Sequence, residues 1–417
     1  MARLFQSGFE WNTITANEEF SLTGGTPVIQ GTTKCSGSLA MQITSLTSAT
    51  ARYLGFQHHA SVDNGPLYYR FYLYITTAPT ANNVIFMVNN AGNITTPLAG
   101  IKLTSTSTLV LYDEDSATIG SASSALTSNT WYRVEFMINT TGSAGSHILE
   151  AKLDGSTFAT SSTRSISTGT AAAFWGGNLA TEAQTQANWY FDDIAINDNT
   201  GSYQTGYPGA GKVLSLYPNA AGDANSWLNT AAGAGSTTNY TLVDEDNPND
   251  ATDMVQSVTL NAIDMYNILN SGIGASDTVN CVMVGGKFRN NTADATTAFR
   301  FRVEKTSGGT VLESSSIIPN SITWNPNAIT VPRLYPIIMY VDPDGSAWTQ
   351  STLDTAQIGV KLTAAGTNRV QVTTVTMTVD YTPSTTGIKT ANGLAYASVK
   401  TVNGLAIASV KTVNGLA

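Results

Sequence analysis

Apolar and polar residues alternate along this chain in short runs, and no stretch keeps a helical period for three turns. Runs such as LYYRFYLYI (67–75), WYRVEFMI (131–138) and WYFDDIAI (189–196) put apolar side chains on one face of an extended strand. Turn residues, mainly Gly, Asn, Asp, Ser and Thr, separate these runs. Short strands at such spacing predict a sandwich or barrel rather than alternating strands and helices.

A Gly-, Asn- and Thr-rich seam, NDNTGSYQTGYPGAG (197–211), interrupts the pattern about half-way along the chain. A second set of strands follows it and ends in VQVTTVTMTVDY (370–381), where Val375, Met377 and Val379 share one face. We therefore predict an all-β protein with two antiparallel β-sandwich domains in series, at 1–200 and 201–383.

The chain ends, from 384 to 417, in three near-copies of an eleven-residue unit. Asn-Gly is the dipeptide that best accommodates the two positive φ angles of a type I′ turn. The units therefore predict a short C-terminal β-meander that reverses at each such pair. An eleven-residue period also fits a helical supercoil, but a Gly in every unit disfavours helix. The three pairs are Asn392-Gly393, Asn403-Gly404 and Asn414-Gly415.

A ribbon of two or three strands has too little core to be stable alone in water. We expect these six Asn and Gly residues to shape an assembly element that completes itself on other subunits or on a neighbouring protein. The alternative is a mobile low-complexity tail, as terminal segments often are.

Charge and composition exclude several functional classes. Only 12% of residues are charged, about half the usual share, and the net charge of −9 leaves no basic surface for nucleic acid. The opening MARLFQSGFEWNT lacks an apolar signal region, and no run of about eighteen apolar residues occurs. We therefore expect neither nucleic-acid binding nor membrane insertion. Two cysteines in different predicted domains, Cys35 and Cys281, indicate no disulfide framework.

Three segments of the first half resemble the concanavalin A-like (laminin-G-like) jelly-roll superfamily: TWYRVEF (130–136), ILEAKLDGSTFAT (148–160) and WYFDDIAIND (189–198). Their order, a Trp-led strand, a strand with an Asp-Gly turn, and an Asp-Asp-Ile strand, is the order seen in that superfamily. The resemblance implies a jelly-roll over roughly the first 200 residues.

The wider layout is similar to that of structural proteins of tailed-bacteriophage virions. The similarity lies in the opening MARLFQSGFE, the joint YPGAGKVLSLYPNAAGD (207–223) and the terminal Asn-Gly-Leu-Ala repeats. It implies a fibre, decoration or appendage protein that is made in the host cytoplasm and sits on the virion exterior. Its expected partners are other virion proteins, further copies of itself and a host-surface glycan.

The jelly-roll superfamily includes glucanases, whose strand motif Glu-x-Asp-x-x-Glu is absent here. Asp192 and Asp193 are adjacent on one predicted strand, so they should point to opposite faces. Glu135 and Glu150 occupy solvent-face positions of predicted strands. We therefore predict no enzymatic activity. The alternatives are a virion-associated glycan hydrolase and a ligand-free capsid or filament subunit.

Sugar binding would use exposed aromatic rings. Trp175, between Phe174 and two glycines, is predicted to lie in an exposed loop, with Tyr53 and His58 as further glycan-binding candidates. Trp131 and Trp189 lie on strands and are expected to be buried.

A second candidate site lies in the acidic segment VDEDNPNDATDMV (243–255). Asp244, Asp246 and Asp250 offer the oxygen ligands that calcium prefers. Their spacing matches no complete calcium loop, and we expect no other cofactor.

Overall fold

The structure is a computed structural model. It describes residues 2–14, 19–20, 22–44, 51–59, 65–90, 97–167, 172–179, 188–229, 235–247, 253–319, 322–324 and 335–384, and four two-residue strands of the terminal repeats. Within these ranges the elements are β-strands, apart from one short helix, α1 (Gln350–Asp354), and one 3-10 turn (Asn239–Leu242). The all-β prediction is confirmed. Neither helical element is long and apolar enough to cross a membrane.

The first half of the chain forms two antiparallel sheets. Sheet A has the strand order β13-β12-β11-β6-β15-β4-β3, with β1 also paired to β15, and sheet B has the order β10-β9-β8-β7-β14-β5-β2. The strands are β1 (Arg3–Ser7), β2 (Leu22–Gly24), β3 (Val28–Gln30), β4 (Ala40–Ile43), β5 (Arg52–His59), β6 (Leu67–Ile75), β7 (Asn83–Asn90), β8 (Pro97–Leu103), β9 (Leu109–Asp113), β10 (Thr118–Ile119), β11 (Trp131–Asn139), β12 (His147–Leu153), β13 (Ser156–Arg164), β14 (Ala172–Asn178) and β15 (Trp189–Asn197).

The core of this first sandwich follows from the alternation of its strands. In β6, the residues Leu67, Tyr69, Phe71, Leu73 and Ile75 are all buried between the sheets. The intervening side chains of β6 project from the outer face of sheet A. In β15 every residue is buried, because its outer face is covered along part of its length by the rest of the chain.

The second half forms another pair of antiparallel sheets. Sheet C has the order β16-β25-β20-β23, with β18 also paired to β25, and sheet D has the order β17-β19-β24-β21-β22. Val375, Met377 and Val379 lie in the core between these sheets, as predicted. The strands are β16 (Lys212–Leu216), β17 (Pro218–Asn225), β18 (Val255–Ser257), β19 (Ile263–Ile268), β20 (Thr278–Asn290), β21 (Ala298–Glu304), β22 (Val311–Glu313), β23 (Ile337–Met339), β24 (Gln357–Ala364) and β25 (Val370–Thr382).

The N-terminal segment connects the two sandwiches. Strand β1 pairs with β15 of sheet A, yet the Arg3 guanidinium Nη1 lies 2.6 Å from Asp380 Oδ2 on β25. Gln6 Nε2 donates to Thr378 Oγ1 over 3.0 Å, and Trp11 packs in a buried cluster with Cys281 of β20. We call this contact region the joint. No disulfide forms, since both cysteines are free.

Two hairpins are described in the terminal repeats. Strand β26 (Thr390–Ala391) pairs with β27 (Leu394–Ala395), and β28 (Thr401–Val402) pairs with β29 (Leu405–Ala406). These described pairs are extended and antiparallel, as the predicted meander requires, whereas Asn392-Gly393 and Asn403-Gly404 themselves lie outside the described residues. Asn414-Gly415 lies outside the described residues. The assembly role of the repeats stays a prediction.

Candidate functional site

Trp175 does not lie in an exposed loop, so that prediction is wrong. It belongs to β14, which is paired on one side with β7 and on the other with β5, and its side chain is only 3% exposed. Tyr53 does lie beside it, with ring centroids 4.9 Å apart in a T-shaped contact. His58 lies in β5, but its side chain is outside the described part of the chain.

Glycines explain how these rings pack on the outer face of sheet B. A Cβ at Gly55 would stand 2.4 Å from Trp175 Cε3, and one at Gly24 would stand 2.2 Å from Tyr53 Cζ. Each ring therefore lies against the backbone of the neighbouring strand. Met87, Tyr112 and Leu179 complete this Trp175 cluster, with Tyr53 and Val84 at its margin. A stacked sugar needs an exposed ring, and Trp175 does not supply one.

The outer face of sheet A carries a different set of aromatic residues. Tyr190 is directly opposite Tyr74, and Tyr74 is directly opposite Trp131, on the adjacent strands β15, β6 and β11. The same line continues to Gln42 on β4 and Val28 on β3. These five residues, called here the aromatic row, cross five neighbouring strands. At about 4.8 Å per strand the row is about 19 Å long.

The rings of the row contact one another, and those of Tyr74 and Trp131 are partly open to solvent. Ring centroids lie 5.3 Å apart between Tyr74 and Trp131, and 5.4 Å apart between Tyr74 and Tyr190. Trp131, Tyr74 and Gln42 are half-buried, Tyr190 is 8% exposed and Val28 is 40% exposed. The prediction that Trp131 is buried is therefore wrong, whereas Trp189 is fully buried as predicted.

The sequence did contain a signal for Trp131. Val134, Phe136 and Ile138 of β11 lie in the core. Because side chains alternate along a strand, an odd-numbered residue of β11 such as Trp131 must face outward. Its large apolar ring suggested burial, but the position in the strand decides which face it occupies.

Polar groups accompany the row, and its two ends are open. The Tyr74 hydroxyl donates to Asn129 Oδ1 over 3.2 Å. At one end, Val28 lies on the edge strand of sheet A. At the other end, β12 pairs with β11 only from Val134 onward. Among the described strands, none therefore flanks Trp131 on that side.

Charges next to the row are paired or buried, apart from the exposed Asp154, whose Oδ1 accepts the backbone N–H of Arg133 over 2.9 Å. Arg133 Nε lies 3.2 Å from Glu135 Oε2. Asp192 is fully buried and accepts the backbone N–H of Cys35 over 2.7 Å. Burial, together with the neighbouring Asp193, raises the pKa of Asp192 well above its usual range. The row and its immediate surroundings therefore form a largely neutral surface.

Asp192 and Asp193 do not point to opposite faces, so this prediction is also wrong. The pairing of β15 with β6 is irregular between Asp192 and Ala195, and Asp193 has a φ of 49°. Both carboxylates consequently reach Ser36: its N–H lies 3.3 Å from Asp192 Oδ2, and its hydroxyl donates to Asp193 Oδ1 over 2.5 Å. Asp193 Oδ1 also accepts the N–H of Val213 over 2.7 Å, which makes it part of the joint.

The two glutamates differ in their surroundings. Glu135 is only 2% exposed, contrary to its predicted solvent position, because Glu135 Oε1 accepts the N–H of Gly209 over 3.0 Å. The segment between the sandwiches thus covers this carboxylate. Glu150 is half-exposed and lies 3.1 Å from Lys152 Nζ. These contacts hold the fold together rather than aligning two carboxylates across an open groove.

The predicted calcium ligands are only partly described. Asp246 Oδ2 accepts from Asn12 Nδ2 over 3.4 Å, and burial raises the pKa of Asp244. Asp250 lies outside the described residues. Within the described ranges, no three His, Cys, Asp or Glu side chains form a group that could hold a metal ion. The calcium site stays a prediction that awaits the position of Asp250.

No protein-family model matches the chain, and no curated protein matches it. Among solved structures, the chain is similar to the cellulose-induced protein Cip1, at 20% identity and a TM-score of 0.31, over 46% of this chain and 89% of that one. It is similar to domain 4 of the extracellular arabinanase AbnA from Geobacillus stearothermophilus in complex with arabinotriose, at 13% identity and a TM-score of 0.31, over 47% of this chain and 93% of that one. A Trypanosoma rangeli sialidase aligns at 10% identity and a TM-score of 0.30, over 41% of this chain and 26% of the sialidase.

Proposed function

We propose that this protein attaches a bacteriophage virion to glycans of its host surface and does so without cleaving them. The observation that carries the proposal is the aromatic row, in which Trp131 and Tyr74 are partly exposed beside each other on a sheet face. Pyranose rings offer a patch of C–H groups and a rim of hydroxyls. An aromatic ring can pack on the first, while hydroxyl and amide groups such as those of Tyr74 and Gln42 can bond the second.

A single shallow site of this kind binds weakly, so the proposal includes many copies on one particle. Linked weak sites gain avidity without any new contact. The terminal repeats supply the means of assembly in this account, by adding strands to other copies or to other virion proteins. The virion location rests on the resemblance of the chain's layout to phage structural proteins.

The binding test uses the intact purified chain and a panel of immobilised polysaccharides. The panel holds neutral linear polymers (glucan, xylan and mannan) and anionic ones (alginate and hyaluronan). We expect retention on at least one polymer and its loss in Trp131→Ala/Tyr74→Ala. A matched control is Tyr203→Ala, which removes a 50% exposed tyrosine outside the row. Retention on none of the polymers, or equal retention of the double variant and wild type, contradicts the proposal.

Two further measurements address the other parts of the proposal. Antibodies against the chain should label the outside of intact phage particles produced from the gene's host cell, and failure to label them contradicts the virion role. Prolonged incubation with the polymer that binds should release no new reducing ends. Their appearance in proportion to protein concentration would instead favour the hydrolase.

A further inference from the structure

We infer that the aromatic row binds an internal stretch of a neutral, linear glycan laid across the strands of sheet A. This inference rests on the proposed function and specifies its ligand. Three properties of the described residues carry it: the length of the row, its open ends and its lack of charge.

The length of the row exceeds what one sugar unit can cover. Its five residues span about 19 Å, and the rings of Tyr190, Tyr74 and Trp131 follow one another at 5.4 and 5.3 Å. Tyr74 and Trp131, the two half-buried rings, can therefore contact successive units of a chain, whereas Tyr190, at 8% exposed, offers a ligand little surface. A row built in this way gains contacts with each added unit until the ligand is as long as the row. A pyranose unit is about as long as the strand spacing of about 4.8 Å, so a row across five strands matches about four units.

The open ends favour an internal stretch over a chain end. A site that selects a terminus needs a wall that stops the chain. Val28 is on an edge strand and 40% exposed, and β12 does not extend alongside Trp131. A polymer can therefore enter past Val28 and leave past Trp131.

The absence of charge favours a neutral glycan. The row consists of two tyrosines, a tryptophan, a glutamine and a valine, and so contains no Asp, Glu, Lys, Arg or His. Arg133, two residues from Trp131 on β11, already has Glu135 as its partner, and Asp192 is buried under the Cys35 and Ser36 N–H groups. An acidic polysaccharide would lose water around its carboxylates without gaining a cation in exchange.

The test is a length series measured on the wild-type chain. Oligosaccharides from disaccharide to hexasaccharide are prepared from the neutral polymer that the chain retains, and each Kd is measured by calorimetry. We expect affinity to rise with each unit up to about four units and then to level off. Reducing the terminal aldehyde to an alcohol should leave the affinity of the hexasaccharide unchanged, because no chain end is recognised.

Trp131→Ala tests whether the row itself is the binding site, because it removes one end of the row. We expect it to weaken hexasaccharide binding about threefold to tenfold, as loss of one aromatic contact does, and to move the plateau to a shorter oligosaccharide. Gln42→Ala, on the far side of Tyr190, should weaken long ligands more than short ones. Tyr203→Ala should change neither value.

The outcomes separate this inference from the proposed function. Equal affinity for disaccharide and hexasaccharide, weaker binding after end reduction, or retention on anionic polymers alone would overturn the inference while glycan attachment stands. Retention on none of the polymers would contradict attachment itself.

Discussion

Asp380 is a single carboxylate shared by two buried guanidinium groups at the joint. Its Oδ2 lies 2.6 Å from Arg3 Nη1 and 3.3 Å from Arg70 Nη1, and all three side chains are 0% exposed. Asn280 adds a hydrogen bond of 3.3 Å to Oδ1. Burial acts to raise the pKa of Asp380, but the charges of Arg70 and Arg3 outweigh it and lower the pKa below its usual value.

Asp380→Asn keeps the size of the side chain but removes the counter-charge that Arg3 and Arg70 share. Removing one partner of a buried ion pair costs about 3–5 kcal/mol, and the near-equal volume of Asn adds little cavity term. We expect the free energy of unfolding to fall by about that amount, because Arg3, Arg70 and Asp380 connect sheets A and C.

Urea unfolding followed by tryptophan fluorescence measures the loss. The control is Asp344→Asn, which removes an exposed carboxylate 2.9 Å from Lys305 and should lower the free energy of unfolding far less, because solvent screens an exposed ion pair. Arg3→Gln combined with Asp380→Asn should lose less than the sum of the two single variants, because the pair is then removed together. If Asp380→Asn lowered the free energy of unfolding no more than Asp344→Asn does, the contacts of Asp380 with Arg3 and Arg70 would not stabilise the joint.

Three other expectations concern pH, the Trp175 cluster and the repeats. Burial and then the nearby charge of Glu10 raise the pKa of Glu19 to about 8. The protonated Glu19 side chain therefore stabilises the folded state fully below its unfolded pKa near 4.5, and this stabilisation is lost as pH rises towards 8. Glu19→Gln should flatten urea stability between pH 5 and 8, and an unchanged slope would contradict this. Trp175→Ala should lower the free energy of unfolding by about 3–5 kcal/mol, and the folded variant should still bind glycan. Loss of binding by a well-folded variant would return Trp175 to the binding site. A chain truncated after residue 384 should keep the unfolding midpoint of the sandwiches and lose oligomerisation by light scattering, and an unchanged oligomer would refute the assembly role of the repeats.

Local sequence signals predicted the strands with clear alternation, such as β6, β11, β15 and β25, but not the positions that depend on a neighbouring strand. The run LYYRFYLYI became β6 with its predicted bounds, because alternation is a property of the strand itself. The stretch FWGGN suggested a loop because two glycines follow Trp175. A Cβ at Gly177 would lie 2.3 Å from the Arg52 carbonyl oxygen, so this glycine permits close packing of β14 on β5. This close approach depends on the partner strand β5, so the segment FWGGN alone does not indicate it.

The same reasoning explains the error at Asp192 and Asp193. Period-two alternation assumes a regular strand, and the irregular pairing before Ala195 breaks it. Asp193 adopts a positive φ, a backbone conformation that a glycine at this position would have indicated. The segment WYFDDIAIN contains no glycine, so it gives no sign of the irregularity. The side chains of both residues are instead placed by Ser36 and Val213, which are distant in the sequence.

Three strands of sheet A link the aromatic row to the joint. On β6, Tyr74 of the row is four residues from Arg70, which contacts Asp380. On β15, Tyr190 precedes Asp193, which accepts the Val213 N–H. On β11, Trp131 is followed four residues later by a carboxylate that binds the segment between the sandwiches.

Four residues of strand span about 13 Å. Within that distance, each of the three strands connects a ring of the row to a contact with the second sandwich or with the segment that precedes it. Under the proposed function, a pull on a glycan at the row would therefore be carried along three hydrogen-bonded strands rather than through a loop. It would reach β25 through the buried Arg70–Asp380 ion pair and β16 through the hydrogen bond from the Val213 N–H to the Asp193 carboxylate. The proposed attachment role requires such an arrangement, because the proposed site and the route towards the terminal repeats then belong to one continuous sheet-to-sheet connection.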